Sequence, residues 1–462
     1  MARPLRTLAC IAGTLLTACT TPDLGRGKAA LEAGDVEAAE RDLAPLVDLG
    51  FEDAKLHLAR TYARSGDPEA LHQAIVLYRE LLEQDPTVAV PLAKMLLDSG
   101  NDAALPQAEQ MLLKAHADRD ERAPIALLEL YSDHPERDTH RRAPALAEHV
   151  ARLRTPDAEA AVVKWYRRNA LADARFAKAL IRLCEGARER LPDCYVDLGR
   201  HYRAGGNDKA LGELVAGATR RFGTGGLPTR VLERLAWSLV SDDIAGTPRP
   251  EAAQPMLKRA AETSDTARVR LARLLIEYPH LDPEGKPEQL LLKAADRGSP
   301  EASLALGRLH LDGKLAPADP AKALKHLEQA AAHEPAAHYY LGRIYKRGYL
   351  GRPDPVLAAR HFLTAARAGY PRADQALAQL FSDNRGVRPN LPNAFVFATI
   401  AAENQTPEGA LMLKQIRALL KPGQLQQAEQ LLRQELAVRN AAPAAAQSTA
   451  VSQAPSPAET VP

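Results

Sequence analysis

Ala302-Ser-Leu-Ala-Leu-Gly-Arg-Leu-His-Leu-Asp-Gly313 is followed by Ala337-His-Tyr-Tyr-Leu-Gly-Arg-Ile-Tyr-Lys-Arg-Gly348, and the two stretches share their small and apolar positions. Ala302, Leu306-Gly307, Leu309-His310 and Gly313 recur as Ala337, Leu341-Gly342, Ile344-Tyr345 and Gly348. A third copy reads Ala373, Leu377-Ala378, Leu380-Phe381 and Asn384. The offsets are 35 residues (302 to 337) and 36 residues (337 to 373). Within each copy the apolar positions fall at i, i+4, i+7 and i+8, which is one face of a helix. The closing Gly or Asn suits a left-handed helix end.

A second helix follows each first one. Ala323, Leu324, Leu327, Ala330 and Ala331 correspond to Ala358, Ala359, Phe362, Ala365 and Ala366, then to Ala394, Phe395, Ala398, Ala401 and Ala402. Pro317 and Pro320, Pro353 and Pro355, then Pro389 and Pro392 punctuate the turns between, since proline does not fit a helix interior. Two helices per period of about 35 residues predict an all-α, right-handed α-solenoid. Weaker copies run upstream through Leu271-Ala272, Ala236, Leu198-Gly199, Leu92-Ala93, Leu58-Ala59 and Ala30-Leu31. About ten or eleven helix pairs would fill residues 28–440 at this period, the clearest units spanning 302–402. The stretch from Asp133 to Arg168 fits least well. A polar helix over about 423–439 is expected to cap the array, and residues 441–462, rich in Ala, Pro, Ser and Gln, read as a disordered tail.

Composition agrees with this reading. Of 462 residues, 46% are hydrophobic but only 5% aromatic, so the helix interfaces should be thin and lined by alanine and glycine. Gly307, Gly342 and Ala378 are expected to let neighbouring backbones approach. A formal net charge of +2 argues against a dedicated nucleic-acid binder, which needs a basic excess.

That small excess belongs to the first residues. Met1 to Ala18 reads as an export signal, with Arg3 and Arg6 as its charges and an apolar stretch too short to span a bilayer. It ends in Leu16-Thr17-Ala18-Cys19, which matches a bacterial lipobox. Cleavage before Cys19 leaves 58 basic against 58 acidic side chains, the two lost charges being Arg3 and Arg6. Acylated Cys19 would anchor the chain, with residues 19–27 as linker, because two or more acyl chains give a stable attachment. Thr20-Thr21-Pro22 lacks an aspartate after the cysteine, which directs the expected address to the outer membrane, facing the periplasm. Cys10 leaves with the signal, so Cys184 and Cys194 remain; in an oxidising compartment they read as one disulfide stapling a loop between two helices.

Catalytic and metal motifs find little support. His333-Glu-Pro-Ala-Ala-His338 spaces its histidines by five, not four, with Pro335 between them, so a loop is expected there and no metal. Gly25-Arg-Gly-Lys28 lacks the spacing and the preceding strand of a phosphate loop. No cofactor and no enzymatic activity are expected. Lys164, Arg168, Arg175 and Arg182, with Arg167 and Lys178 nearby, would form a basic stripe on one continuous helix. Such a stripe would attract an anionic polymer or acidic partner; a break near Asn169 to Asp173 would dissolve it.

The lipobox, the tetratricopeptide-like start, the Sel1-like repeats such as Ala337 to Arg352, the cysteines of Leu183-Cys184 and Asp193-Cys194-Tyr195, and Ala373-Asp-Gln-Ala-Leu-Ala-Gln-Leu-Phe-Ser382 together resemble the AlgK family of alginate-biosynthesis lipoproteins. The resemblance covers nearly the whole chain. It implies a noncatalytic periplasmic scaffold that helps place the outer-membrane alginate porin. Its other implied partners are periplasmic alginate-modification proteins and the inner-membrane polymerisation complex. Arg308, Arg343, Tyr345, Lys346, Arg347 and Tyr349, in the late repeats, are the candidate partner contacts. Alternatives are a conduit component that binds the polysaccharide directly, or a scaffold of another exopolysaccharide system.

Overall fold

A computed structural model describes residues 21–283, 286–313, 317–383, 388–404 and 407–441. The export signal, Cys19, Asn384 and the tail beyond 441 lie outside the described residues. Among those described there are 24 α-helices and no strand, so the all-α array of helix pairs is observed. The helices fall into two compact units, Met1–Leu191 and Pro192–Pro462.

The first unit opens with α1 (Leu24–Ala33), α2 (Val36–Asp48), α3 (Glu52–Arg64) and α4 (Pro68–Leu81). It continues with α5 (Ala89–Asp98), α6 (Leu105–Ala117) and α7 (Ala123–Asp133). It closes with α8 (Ala143–Val150), α9 (Pro156–Asn169) and α10 (Ala174–Ala187). Helix α1 begins inside the segment expected to be a linker, because Asp23 caps it by accepting from the Arg26 N–H. Gly25 to Lys28 are therefore helical, and no phosphate-binding loop exists there. The poor fit around Asp133 to Arg168 also has a local cause. Helix α8 has only eight residues, and Arg141 and Arg154 end their segments at positive φ without a glycine to mark the turn.

The second unit begins with α11 (Cys194–Ala204), α12 (Asp208–Gly223), α13 (Thr229–Ser238) and α14 (Pro250–Ala260). Next come α15 (Asp265–Glu277), α16 (Pro287–Ala295), α17 (Pro300–Asp312) and α18 (Pro320–Ala330). Then follow α19 (Pro335–Arg347), α20 (Pro355–Arg367), α21 (Pro371–Ser382) and α22 (Leu391–Glu403). The unit ends with α23 (Pro407–Leu419) and α24 (Pro422–Ala441), the latter being the expected cap.

Local chemistry explains the boundaries. Ser299, Asp319, Asp354 and Asn390 each cap a helix by accepting the N–H three residues on. Proline then occupies the first turn, where its missing N–H costs nothing. Gly313 and Gly348 end α17 and α19 at φ 65°, the left-handed conformation their positions were read to need. His338 lies within α19, not in a loop: Pro335 opens that helix instead of breaking it.

The repeated alanines Ala302, Ala323, Ala337, Ala358, Ala373 and Ala394 are all fully buried. The repeated glycines work differently from the backbone approach expected of them. A Cβ on Gly307 would sit 2.5 Å from Leu327 Cγ, and one on Gly342 would sit 2.6 Å from the Phe362 ring. Each glycine is thus a socket for a large side chain of the following helix, and Phe362 fills its socket with no exposed surface.

In the second unit α15 touches α17, α17 touches α19, and α19 touches α21. Among the described residues no comparable contact joins the even-numbered helices from α12 to α20. Helices that meet their counterparts in the next pair lie on the inside of a curved array. The odd-numbered helices are therefore the inner layer.

Candidate interaction surface

The basic stripe does not form. Lys164 and Arg168 lie on α9, whereas Arg175, Lys178 and Arg182 lie on α10, and Ala170 to Asp173 separate the two helices. Asp173 creates the break by accepting from the Arg175 N–H as the α10 cap. Lys164 and Arg168 both pair with Asp133, at 2.6 and 3.2 Å, and Arg175 pairs with Asp173 at 2.8 Å. Arg167, on α9, also has a partner. Lys178 and Arg182 of α10 are exposed and make no ion pair among the described residues, so short basic spots remain on separate helices and not one continuous field for a polyanion.

The late-repeat candidates separate into two groups. Arg308 and Arg343 lie on the inner layer, with their guanidinium carbons 5.2 and 5.4 Å from the Tyr340 ring centre on α19. Arg343 also reaches Asp312 at 3.6 Å. The others line α19 and its exit. Tyr345 stacks on His361 of α20 at 5.5 Å with 3° between the planes, so its role is packing within the pair. Lys346 is half-buried and engaged by a neighbour. Arg347 donates to the exposed Tyr349 hydroxyl at 2.7 Å.

The inner layer holds further residues that motif reading did not single out. Arg273 of α15 is one period of 35 residues before Arg308, as Arg308 is before Arg343. Its guanidinium lies 5.0 Å from the Trp237 ring of α13, with Arg270 over the same ring at 5.6 Å. Arg270 in turn contacts the buried Glu233 at 2.8 Å. That contact lacks hydrogen-bond alignment and leaves Arg270 Nη1 buried without a bond. Burial pulls the Arg273 pKa below the usual arginine value, and the like charge of Arg308 adds to it. Glu301 of α17 lies in the same field, and burial pushes its carboxyl up.

Histidines fill the space between the layers of α17–α20. His310 stacks on His326 at 5.6 Å, and one period later Tyr345 replaces the first of these against His361. His338 Nδ1 and His361 Nδ1 lie 3.0 Å apart, so one must donate and the other accept. Doubly protonated rings have no acceptor to offer. Burial lowers the pKa of His326, His338 and His361, and the neighbouring His338 lowers His361 further. Groups with depressed folded pKa values give stability that is complete above the unfolded value, about 6.5, and is lost as pH falls through the folded values. Thermal melts between pH 7 and pH 5 should therefore show falling stability, with a shallower slope in His361→Gln. An identical slope in that variant would remove the histidine pair as the cause.

Cys184, on α10, and Cys194, which opens α11, are both fully buried. Both sit on helices and not in the connecting loop, where they were expected.

Comparisons with known proteins agree with the repeats. The AlgK tetratricopeptide repeat domain family matches residues 177–261, and the Sel1 repeat family matches 300–334 and 335–370. The alginate biosynthesis protein AlgK of Pseudomonas aeruginosa is 35% identical over 90% of this chain and 87% of its own length. That of Azotobacter vinelandii is 33% identical over 94% and 95%. Among solved structures, a protective antigen of uropathogenic Escherichia coli with an SLR fold aligns at TM-score 0.41 and 20% identity, covering 95% of this chain and 97% of that one.

Proposed function

Because this chain belongs to the AlgK family of alginate biosynthesis proteins, we propose that it is a noncatalytic, lipid-anchored scaffold of alginate secretion at the outer membrane. Family membership supports the role in alginate biosynthesis. The scaffold reading goes further. It rests on one observation above all: an array of helix pairs whose inner layer carries charged and aromatic side chains from several successive repeats. Such surfaces bind through extended contact with other chains. In this reading Cys19 holds the array at the periplasmic face of the outer membrane. The array then helps place the alginate porin and links it to modification proteins and the inner-membrane polymerisation complex. A polysaccharide-binding conduit component is less favoured, because the cations proposed to attract the polymer, Lys164, Arg168 and Arg175, are paired with Asp133 and Asp173.

The test is chemical crosslinking of the lipidated protein in its native envelope, followed by identification of the captured chains. Capture of the porin together with a modification or polymerisation component is the expected result. Recovery of no secretion component would overturn the scaffold reading.

A further inference from the structure

Arg273, Arg308 and Arg343 occupy the same position on three successive inner helices, α15, α17 and α19, each 35 residues from the next. Packed helices lie about 8–10 Å apart, so the repeat sets these cations in a row at roughly that interval. Neither Arg273 nor Arg308 makes an ion pair among the described residues, and Arg343 has only its 3.6 Å contact with Asp312. Arg273 reaches solvent although protein crowds it, as expected of a side chain on the floor of a groove. Arg308 acts on Arg273 as a like charge that Glu301 and Glu277 offset from a distance without closing an ion pair, so both guanidinium forks remain open to an incoming carboxylate.

We propose that this row is the docking groove for an extended acidic polypeptide segment of a partner protein. Two features select a peptide over an anionic sugar chain. The aromatic rings in the groove already carry arginines, Trp237 beneath Arg270 and Arg273, and Tyr340 beneath Arg308 and Arg343. Those rings are thereby taken up by protein cations and are not open platforms for a sugar. Acidic side chains also alternate with the cations: Glu301 of α17 faces the field of Arg270 and Arg273, and Glu233 sits beneath Arg270. A polymer with a carboxylate on every unit meets these groups with like charge. A peptide places carboxylates only where they are wanted. A segment in the extended polyproline II conformation has three residues per turn and advances about 3.1 Å per residue, so a carboxylate at every third residue stays on one face and matches the interval of the row. Arginine is suited to this task, since its planar fork engages a carboxylate with two bonds.

The inference rests on the scaffold reading only for the partner being a protein. Its test therefore uses the purified full chain and a defined probe. A fluorescein-labelled peptide repeating Glu-Gly-Ser four times is titrated by anisotropy, beside the Lys-Gly-Ser peptide and a labelled uronate oligosaccharide. The expected result is binding of the acidic peptide alone, weakened by salt and by at least about tenfold in Arg273→Glu and in Arg308→Glu. Arg273 is exposed, so Arg273→Glu decides the matter if Arg308→Glu does not fold, as judged by its helical circular dichroism. No binding of the acidic peptide, equal or tighter binding of the oligosaccharide, or unchanged affinity in a folded reversal variant would each overturn the groove. Envelope crosslinking that captures secretion proteins would still stand in those cases, so failure of the groove is distinguishable from failure of the scaffold.

Discussion

Arg203→Ala is expected to destabilise the second unit by about 3 kcal/mol or more, because one buried guanidinium holds a whole connection in place. Arg203, on α11, is 3% exposed. It donates to the carbonyl oxygens of Ser238 at 3.0 Å, Ser241 at 2.8 Å, Gly246 at 3.2 Å and Thr247 at 3.3 Å. These carbonyls belong to the end of α13 and the segment leading to α14, which has no helix of its own to satisfy them. Gly246 comes so close that a Cβ there would sit 2.2 Å from the Arg203 carbonyl oxygen. Burial pulls the Arg203 pKa below the usual arginine value, while the charges of Asp242 and Asp243 act against that pull. Truncation removes the charge-assisted bonds and strands the carbonyls. Arg203→Lys keeps the charge but not the fork, so it should recover only part of the loss. Urea unfolding measures the total, and hydrogen exchange across 239–249 locates it. A midpoint and exchange pattern unchanged in Arg203→Ala would refute the role.

How far the chain could be read depended on which forces the sequence displays. The pairs from α17 to α22 were legible because apolar spacing, cap residues, prolines and Gly313 and Gly348 all point to the same boundaries. In the first unit that agreement weakens. Arg119, Arg141 and Arg154 adopt positive φ where glycine would have marked a helix end. The break between α9 and α10 carries neither Gly nor Pro, and Ala170-Leu-Ala-Asp173 continues a helical composition. The cap chemistry of Asp173 marks it, and of the two readings the sequence left open, one continuous basic helix or a break near Asn169 to Asp173, the structure shows the break. The inner-layer row was partly visible, since the step from Arg343 to Arg308 reaches Arg273 when repeated. Trp237, Arg203 and Glu233 carry no periodic signal. Their roles come from burial against neighbours distant in sequence, and a single sequence does not display that.

Arg439→Met is expected to detach the C-terminal cap at a cost of about 3–5 kcal/mol, the loss typical when one member of a buried ion-pair network is removed. Arg439 of α24 binds Asp374 of α21 at 2.6 Å and Glu435 of its own helix at 3.1 Å. Glu435 also receives Arg367 of α20 at 2.7 Å. Asp374 is 1% exposed and Glu435 8%, so neither carboxylate has water to replace a lost partner. Their pKa values move in opposite directions. Burial pushes Asp374 up more strongly than Arg439 pulls it down, whereas two arginines overcome burial at Glu435 and hold it low. Without Arg439 the Asp374 carboxyl must rise further. A folded-state pKa above the unfolded one favours the folded state as pH falls, so the deficit of Arg439→Met should shrink from pH 7 towards pH 5. In a repeat array the loss is carried locally, so proteolysis and hydrogen exchange should show α23 and α24 opening while α11 to α17 remain protected. A matched apolar pair tests the cause. Asp374→Leu with Arg439→Met leaves no stranded charge at that contact and should recover most of the stability, because buried ion pairs replaced by packed apolar groups cost little. A single variant within about 0.5 kcal/mol of the parent, or a double variant no more stable than the single, would show that α24 is held by its leucine contacts and not by this network.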